Sequence, residues 1–363
     1  MVRLTRAQQQ ERTRASVLFA AAAEFAEWGY AEAKVDRIAE RAEMTRGAVY
    51  SNFPSKRSLY LAVLLDALQS RHVGGFDTVP EDVAAAGEAF ARVWLERLPL
   101  AGDSAAAARF RSLSVTGVFD DEPGRAVQAQ LIALETLLLA LRLETCRPRA
   151  ARRVRLAELM LTLLTGADHL AETAAGFGDP FEVARACRYL AAMEGLDSWD
   201  PPHLPFIAPA VPCSESWDPP SSVTDAMIDG PVGLGGDGVV LFLGARRLGG
   251  AEEAVRAVRP GDSLTVVLVG GDPVEVGALV RLRVSDLALC LRRVFGPGGL
   301  GTVSGVPVRV VLDEGGVVAA AAGLSVGDDT EEAVRVRGGR IVARARGRGA
   351  GHAAAVVGGE SEG

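Results

Sequence analysis

The chain has 363 residues, 48% of them hydrophobic and 23% charged, with a formal net charge of -7; this is ordinary globular composition, and the charge of the whole chain offers no argument for a nucleic-acid partner. Its length predicts two or three domains rather than one, and with no uninterrupted run of 18 apolar residues neither a membrane-spanning helix nor a membrane partner is expected. Charge is unevenly placed, however: residues 1–60 hold ten Lys or Arg against seven acids, +3 locally, which leaves -10 for the rest, and a basic end on an acidic body points to a localised anionic partner.

In chain order, residues 6 to about 195 read as helices. Leu18, Ala21, Ala22 and Phe25 repeat at i, i+3, i+4, i+7 before a stop at Gly29-Tyr30. Val35, Ile38, Ala39 and Ala42 repeat that spacing in a shorter helix, and Tyr60, Val63, Leu64 and Ala67 do so again. Between these lies "MTRGAVYSNFPSK", residues 44–56. The turn "AEMT" with Thr45 as N-cap predicts a short helix, and Ser55 caps the next. Two helices so closely joined suit a helix-turn-helix. Small Gly47 permits close approach to a groove, Arg46 at the helix start suits the O6 and N7 atoms of guanine, and Tyr50, Asn52 and Lys56 are of the types that hold phosphates.

Residues 14–64 resemble the DNA-binding domain of TetR-family transcriptional regulators. The resemblance rests on Phe25 with Gly29-Tyr30, Ile38-Ala39, Thr45-Arg46-Gly47, Val49-Tyr50, Phe53 and Ser55-Lys56-Arg57 taken together. Two positions depart from it. Lys34 stands where the family has a capping Ser or Thr, giving up the cap but offering a charge to the same phosphate; Glu43 stands where it has a turn glycine, which implies αL strain of about 1 kcal/mol. The DNA-binding set implied is Lys34, Thr45, Arg46, Gly47, Tyr50, Asn52 and Lys56.

Further helices are predicted over roughly 80–99, 103–116, 122–145, 149–176 and 180–195, the last with Asp179 as cap and Pro180 in its first turn. The resemblance implies that residues 71–195 form a helical effector-binding and dimerisation domain, with the last two helices pairing in a homodimer on a palindromic operator. An effector pocket, for a small molecule the sequence does not name, is expected among Phe90, Trp94, Phe110, Phe119, Met160 and His169.

Residues 196–229 are rich in proline and contain SWDPP twice, at 198–202 and 216–220; they predict an extended linker whose tryptophans pack on neighbouring domains, or a pair of docking motifs. From about 230, strands alternate with helices, the pattern of a mainly parallel sheet covered by helices. Predicted strands are "GVVLFLG", "SLTVVLVGG", "VPVRVVLD" and "VVAAAAG", with a final hairpin turning at Gly338-Gly339. The segment resembles the thioredoxin-like fold, and Val306-Pro307 stands where that fold places a cis-proline, with Asp313 and Gly315-Gly316 in the turn after it. The active cysteines are missing: "FLGARRLGGAEEAV" carries Arg246, Arg247 and two glycines but no sulfur. The fold class expected is thus an all-α TetR-like region of helix-turn-helix (1–70) and helical domain, followed by a degenerate α/β thioredoxin-like domain (230–350) and a disordered tail (351–363).

Four dispersed cysteines without a CxxC pair suit a reduced, cytoplasmic chain, and four isolated histidines give no metal spacing. No nucleophile elbow or carboxylate pair stands out, so no catalytic residue, metal or cofactor is expected. The function read from the sequence is a dimeric DNA-binding repressor released by an effector. Two alternatives give the C-terminal region the leading part: a thiol-based sensor or enzyme using Cys213 or Cys290, and a scaffold that recruits another protein.

Overall fold

A computed structural model describes residues 5–71, 79–98, 104–148, 152–174, 176–193, 197–300, 302–303 and 305–357. Nine helices open the described chain: α1 (Arg6–Glu32), α2 (Val35–Arg41), α3 (Arg46–Asn52), α4 (Lys56–Gln69), α5 (Val83–Leu95), α6 (Ala105–Arg111), α7 (Glu122–Leu143), α8 (Val154–Thr173) and α9 (Pro180–Leu190). Their starts follow the capping rule: Thr5, Thr45, Ser55, Asp82, Ser104, Asp121 and Asp179 each accept a backbone N–H of the first turn. The first helix is broken at Gly29, whose φ of 70° no helical residue adopts. Among the described residues α7 alone is long and apolar enough to cross a bilayer, but most of it is buried inside the protein, as in a core helix.

The C-terminal half is a mixed sheet. Its elements are β1 (Val211–Ser216), β2 (Val223–Asp225), β3 (Gly230–Val232), β4 (Gly238–Gly244), α10 (Gly250–Ala257), β5 (Ser263–Val269), α11 (Val276–Phe295), β6 (Thr302–Val303), β7 (Val306–Leu312), α12 (Val317–Ala321), β8 (Glu331–Arg337), β9 (Arg340–Arg346) and α13 (Ala350–Val356). The strand order is β1-β9-β8-β4-β5-β7-β2-β3, with β6 beside β7. Among the described strands only the β4–β5 and β5–β7 pairings are parallel and the others are antiparallel, so the sheet is mixed and not mainly parallel as expected. The β8–β9 hairpin turns at Gly338 and Gly339, both at positive φ, as a two-residue hairpin loop requires. β4 is buried along its whole length. Its alternate residues divide between two cores: Val239, Leu241 and Leu243 face the helices, while Val240 and Phe242 face Trp217 and α12.

Five expectations need correction. Part of the expected linker is sheet: β1 adds to its edge, and Trp217 of the second SWDPP is buried with its indole N–H donating to the Leu234 carbonyl at 2.9 Å. The other repeat places Trp199 beneath the Arg256 guanidinium, 4.9 Å from ring centroid. "VVAAAAG" forms helix α12, because both oxygens of Asp313 accept first-turn N–H groups, from Val318 at 3.2 Å and Ala319 at 2.9 Å, and alanine favours a helix once it is capped. Accordingly Asp313 and Gly315-Gly316 lead into a helix and not a hairpin, and the Val306–Pro307 bond is not cis. The tail is ordered as far as α13, whose alanines are buried against α10 and the sheet; residues 358–363 of that predicted tail lie outside the described residues.

The two halves share one core. α11 packs against α4, α5 and α7, and a continuous cluster of buried side chains runs from Val17 to Ala355. Charged contacts reinforce the junction: Arg97 meets Asp286 at 2.5 Å, both side chains buried, and Arg283 holds Glu135 through two bonds of 2.8 and 2.7 Å.

Candidate functional site

The segment 33–57 is held by a buried acid. Glu24 on α1 is fully buried and accepts from the Lys34 backbone N–H at 3.1 Å and from Arg37 Nε at 2.5 Å. It fixes the start of α2, where Lys34 provides no side-chain cap. Sequence reasoning missed this role; the only signal was a single acid inside the apolar run "VLFAAAAEFA". Ile38, Val49, Phe53 and Phe25 fill the space between α1, α2 and α3. The turn between α2 and α3 passes through Glu43 at φ 55°, so the left-handed conformation persists without glycine and the strain expected there is present.

Anchored in this way, α3 turns its opening residues to solvent. Thr45, Arg46 and Gly47 are exposed, and the Thr45 hydroxyl caps α3 by accepting from Ala48 N at 3.2 Å. A Cβ built on Gly47 would meet only Thr45 Oγ1, at 3.9 Å, so that surface is open. Arg46 lies over the Tyr50 ring and 3.3 Å from Asp36, with 60% of its side chain exposed; Tyr50 first, and then Asp36, favour its charged form. An ion pair so exposed is worth little. Lys34 is exposed.

Two members of the expected set are differently engaged. The Asn52 amide donates to the Ala48 carbonyl of its own helix at 2.9 Å. Lys56 is half-buried against the Tyr30 ring, with Nζ donating to the Ala31 carbonyl at 3.0 Å; burial moves its pKa below the usual lysine range.

The helical region holds a cavity of about 300 Å³ whose wall includes Trp94 and His169. The other predicted pocket residues are not part of it. Phe90, Met160 and Phe119 are core, at 0–1% exposure, and Phe110 is half-buried against the same cluster: apolar side chains at helical spacing have filled the interior. The groups that do line the cavity include Arg97, Asp168 and Glu172, together with Leu279 and Arg283 from α11. The last two were beyond sequence reasoning, since nothing local predicts that α11 docks there.

Cysteine chemistry finds no support in this geometry. Cys146, Cys187 and Cys290 are buried and Cys213 half-buried. Burial pushes the Cys187 thiol up to about 12 and the Cys290 thiol up to about 11, away from the thiolate a reactive cysteine needs.

Residues 17–63 match the family model described as bacterial regulatory proteins, tetR family. No curated protein matches the chain. Among solved structures, NalD, the secondary repressor of the MexAB-OprM multidrug efflux pump in Pseudomonas aeruginosa, aligns over 50% of this chain and 95% of its own, at 18% identity and a TM-score of 0.33. RolR in complex with resorcinol aligns over 53% of this chain and 99% of its own, at 20% identity and a TM-score of 0.29. The assignment rests on the family match and on the exposed, capped helix that the matched residues build. Residues 17–63 are a tetR-family DNA-binding domain, and the chain that carries them is a DNA-binding regulator of transcription.

Proposed function

We propose that the protein is a cytoplasmic homodimeric repressor that binds a palindromic operator and releases it when a small molecule enters the helical domain. The observation that carries this reading is the surface formed by Thr45, Arg46 and Gly47, exposed at the start of a short helix that a buried core holds rigidly. Arg46 reads a base edge in the major groove, and Lys34, Tyr50, Asn52 and Lys56 serve phosphates.

Dimerisation is supported by apolar exposure on and around α8 and α9. Phe177, Phe181 and Tyr189 are 70%, 71% and 66% exposed, and Leu159 and Leu170 join them at 40% and 39%. Aromatic residues so displayed suit an interface. Two recognition helices then span half-sites about one helical turn of DNA apart. The cavity beside Trp94 and His169 is the effector site in this reading.

The C-terminal half is a degenerate thioredoxin-like domain used for regulation. Support comes from the parallel β4–α10–β5 unit followed by the antiparallel β8–β9 hairpin and α13, and no longer from Val306-Pro307. At the start of α10, where redox relatives of that fold keep a thiolate, a Cβ on Gly250 would meet Glu331 Oε1 at 3.2 Å, so a carboxylate holds that place.

The test is selection of fragments of the source genome by the full-length protein at physiological salt. Enrichment of a palindrome supports the repressor; recovery of fragments without a common site refutes sequence-specific binding.

A further inference from the structure

The cavity beside Trp94 has a chemistry that narrows its ligand. Two arginines reach it, and both are already matched. Arg97 contacts Asp286 at 2.5 Å, the Trp94 carbonyl at 3.0 Å and the Cys290 sulfur at 3.1 Å, and lies 4.0 Å over the Trp94 ring. Arg283 is held by both oxygens of Glu135. The carboxylates of α8 are less completely met. Asp168 and Glu172 are four residues apart and therefore on one side of the helix. Glu172 accepts from Ser112 Oγ at 3.2 Å and has Arg109 at 3.9 Å. Asp168 Oδ2 accepts from Trp94 Nε1 at 2.8 Å, but no protein donor bonds to its buried partner oxygen Oδ1. A buried carboxylate oxygen without a donor is unfavourable, and a ligand that supplies one relieves it. A ligand carboxylate in the same place would face two like charges.

We propose that this cavity binds a small organic amine, with its ammonium donating to Asp168 Oδ1 beside Glu172 and its apolar part against Leu131, Ile132 and Leu279. This rests on the reading of the cavity as the effector site and gives that effector a chemical class. At about 300 Å³ the space is at the lower end for ligand pockets, so the molecule is small. One wall belongs to the C-terminal half, because Leu279 and Arg283 are on α11. Filling the cavity therefore bears on α8 and α11 together, and on the junction between the two halves.

The experiment compares phenethylamine with 3-phenylpropionate, similar in size and opposite in charge, by titration calorimetry on the full-length protein at pH 7.5. The amine is expected to bind at least tenfold more tightly than the acid. Asp168→Asn keeps an oxygen for Trp94 but removes the charge, and should weaken the amine tenfold or more and abolish the preference. No amine binding up to millimolar concentration, equal binding of the acid, or unchanged amine affinity in Asp168→Asn would each overturn the proposal. Release of operator DNA is measured in parallel: amine binding that depends on Asp168 but leaves DNA affinity unchanged supports the ligand class and removes the effector reading instead.

Discussion

Ser55 and Glu275, 220 positions apart in sequence, meet at the start of α4, where the Ser55 hydroxyl donates to Glu275 Oε1. Ser55 also caps α4 by accepting from Ser58 N at 2.9 Å, and Arg57 Nη1 lies 3.3 Å from Glu275 Oε2. The residue just before α11 thus sets a carboxylate at the helix start that, on the DNA reading, faces a phosphate. One negative charge there opposes another, and Arg57 is drawn away from the nucleic acid. Glu275→Ala is expected to tighten operator binding about three- to tenfold, from like-charge repulsion worth on the order of 1 kcal/mol. Fluorescence anisotropy at two salt concentrations checks this. Weaker binding would mean that Glu275 holds the DNA-binding domain in its working position.

Arg46 on α3 and Lys56 at the start of α4 should make two different kinds of contact. Arg46→Ala should cost about 1–3 kcal/mol at one base position of each half-site and leave discrimination elsewhere intact. Lys56→Ala should weaken all sequences alike. Its effect should be small, because Lys56 must first leave the Ala31 carbonyl, a bond that any phosphate has to replace. Binding profiles over an operator library separate the two patterns, and a wild-type profile for both variants would place the groove contact elsewhere.

The Arg97–Asp286 pair joins the segment just after α5 to α11, with side chains only 5% and 8% exposed. Removing one member of a buried pair costs about 3–5 kcal/mol, whereas replacing both with apolar residues often restores stability. Arg97→Met is therefore expected to lower the thermal midpoint markedly and to split unfolding into two transitions as the halves uncouple. Arg97→Met with Asp286→Leu should recover most of the loss. Calorimetry on the three proteins decides; an unchanged single transition in Arg97→Met would show that apolar packing alone joins the halves.

What the sequence disclosed and what it withheld divide along a physical line. Caps and breaks are local, so Thr45, Ser55, Asp179 and Gly29 placed the helix ends, and the strain at Glu43 was visible as a missing glycine. Local pattern also placed the hairpin at Gly338-Gly339. It failed at "VVAAAAG", where a short apolar run suits strand or helix equally and a cap five residues upstream, Asp313, decided. Pairings across long sequence separations left no trace: neither Glu24 with Arg37 nor Glu275 with Ser55 is marked by spacing. The expected pocket failed for a related reason. Phe90 and Met160 carry the helical period because they are core, while Asp168, Leu279 and Arg283 meet only after α11 has docked.

Asp168 also supplies a pH dependence. Burial pushes its carboxyl from 3.8 up to about 6, against the opposing charge of Arg97 and the Trp94 hydrogen bond. A raised carboxyl pKa means that the folded protein holds this proton more tightly than the unfolded chain does. The stability gained from protonation is complete below the unfolded value and is lost as pH rises through about 6. Asp168→Asn is neutral at every pH and escapes that loss. Its thermal midpoint, relative to wild type at matched ionic strength, should therefore rise between pH 5 and pH 8. An offset constant with pH would mean that Asp168 is solvated. An offset that falls with rising pH would mean that Arg97 lowers the carboxyl pKa more than burial raises it, and Asp168 would then be a stabilising ion-pair partner with no unmet demand for a donor.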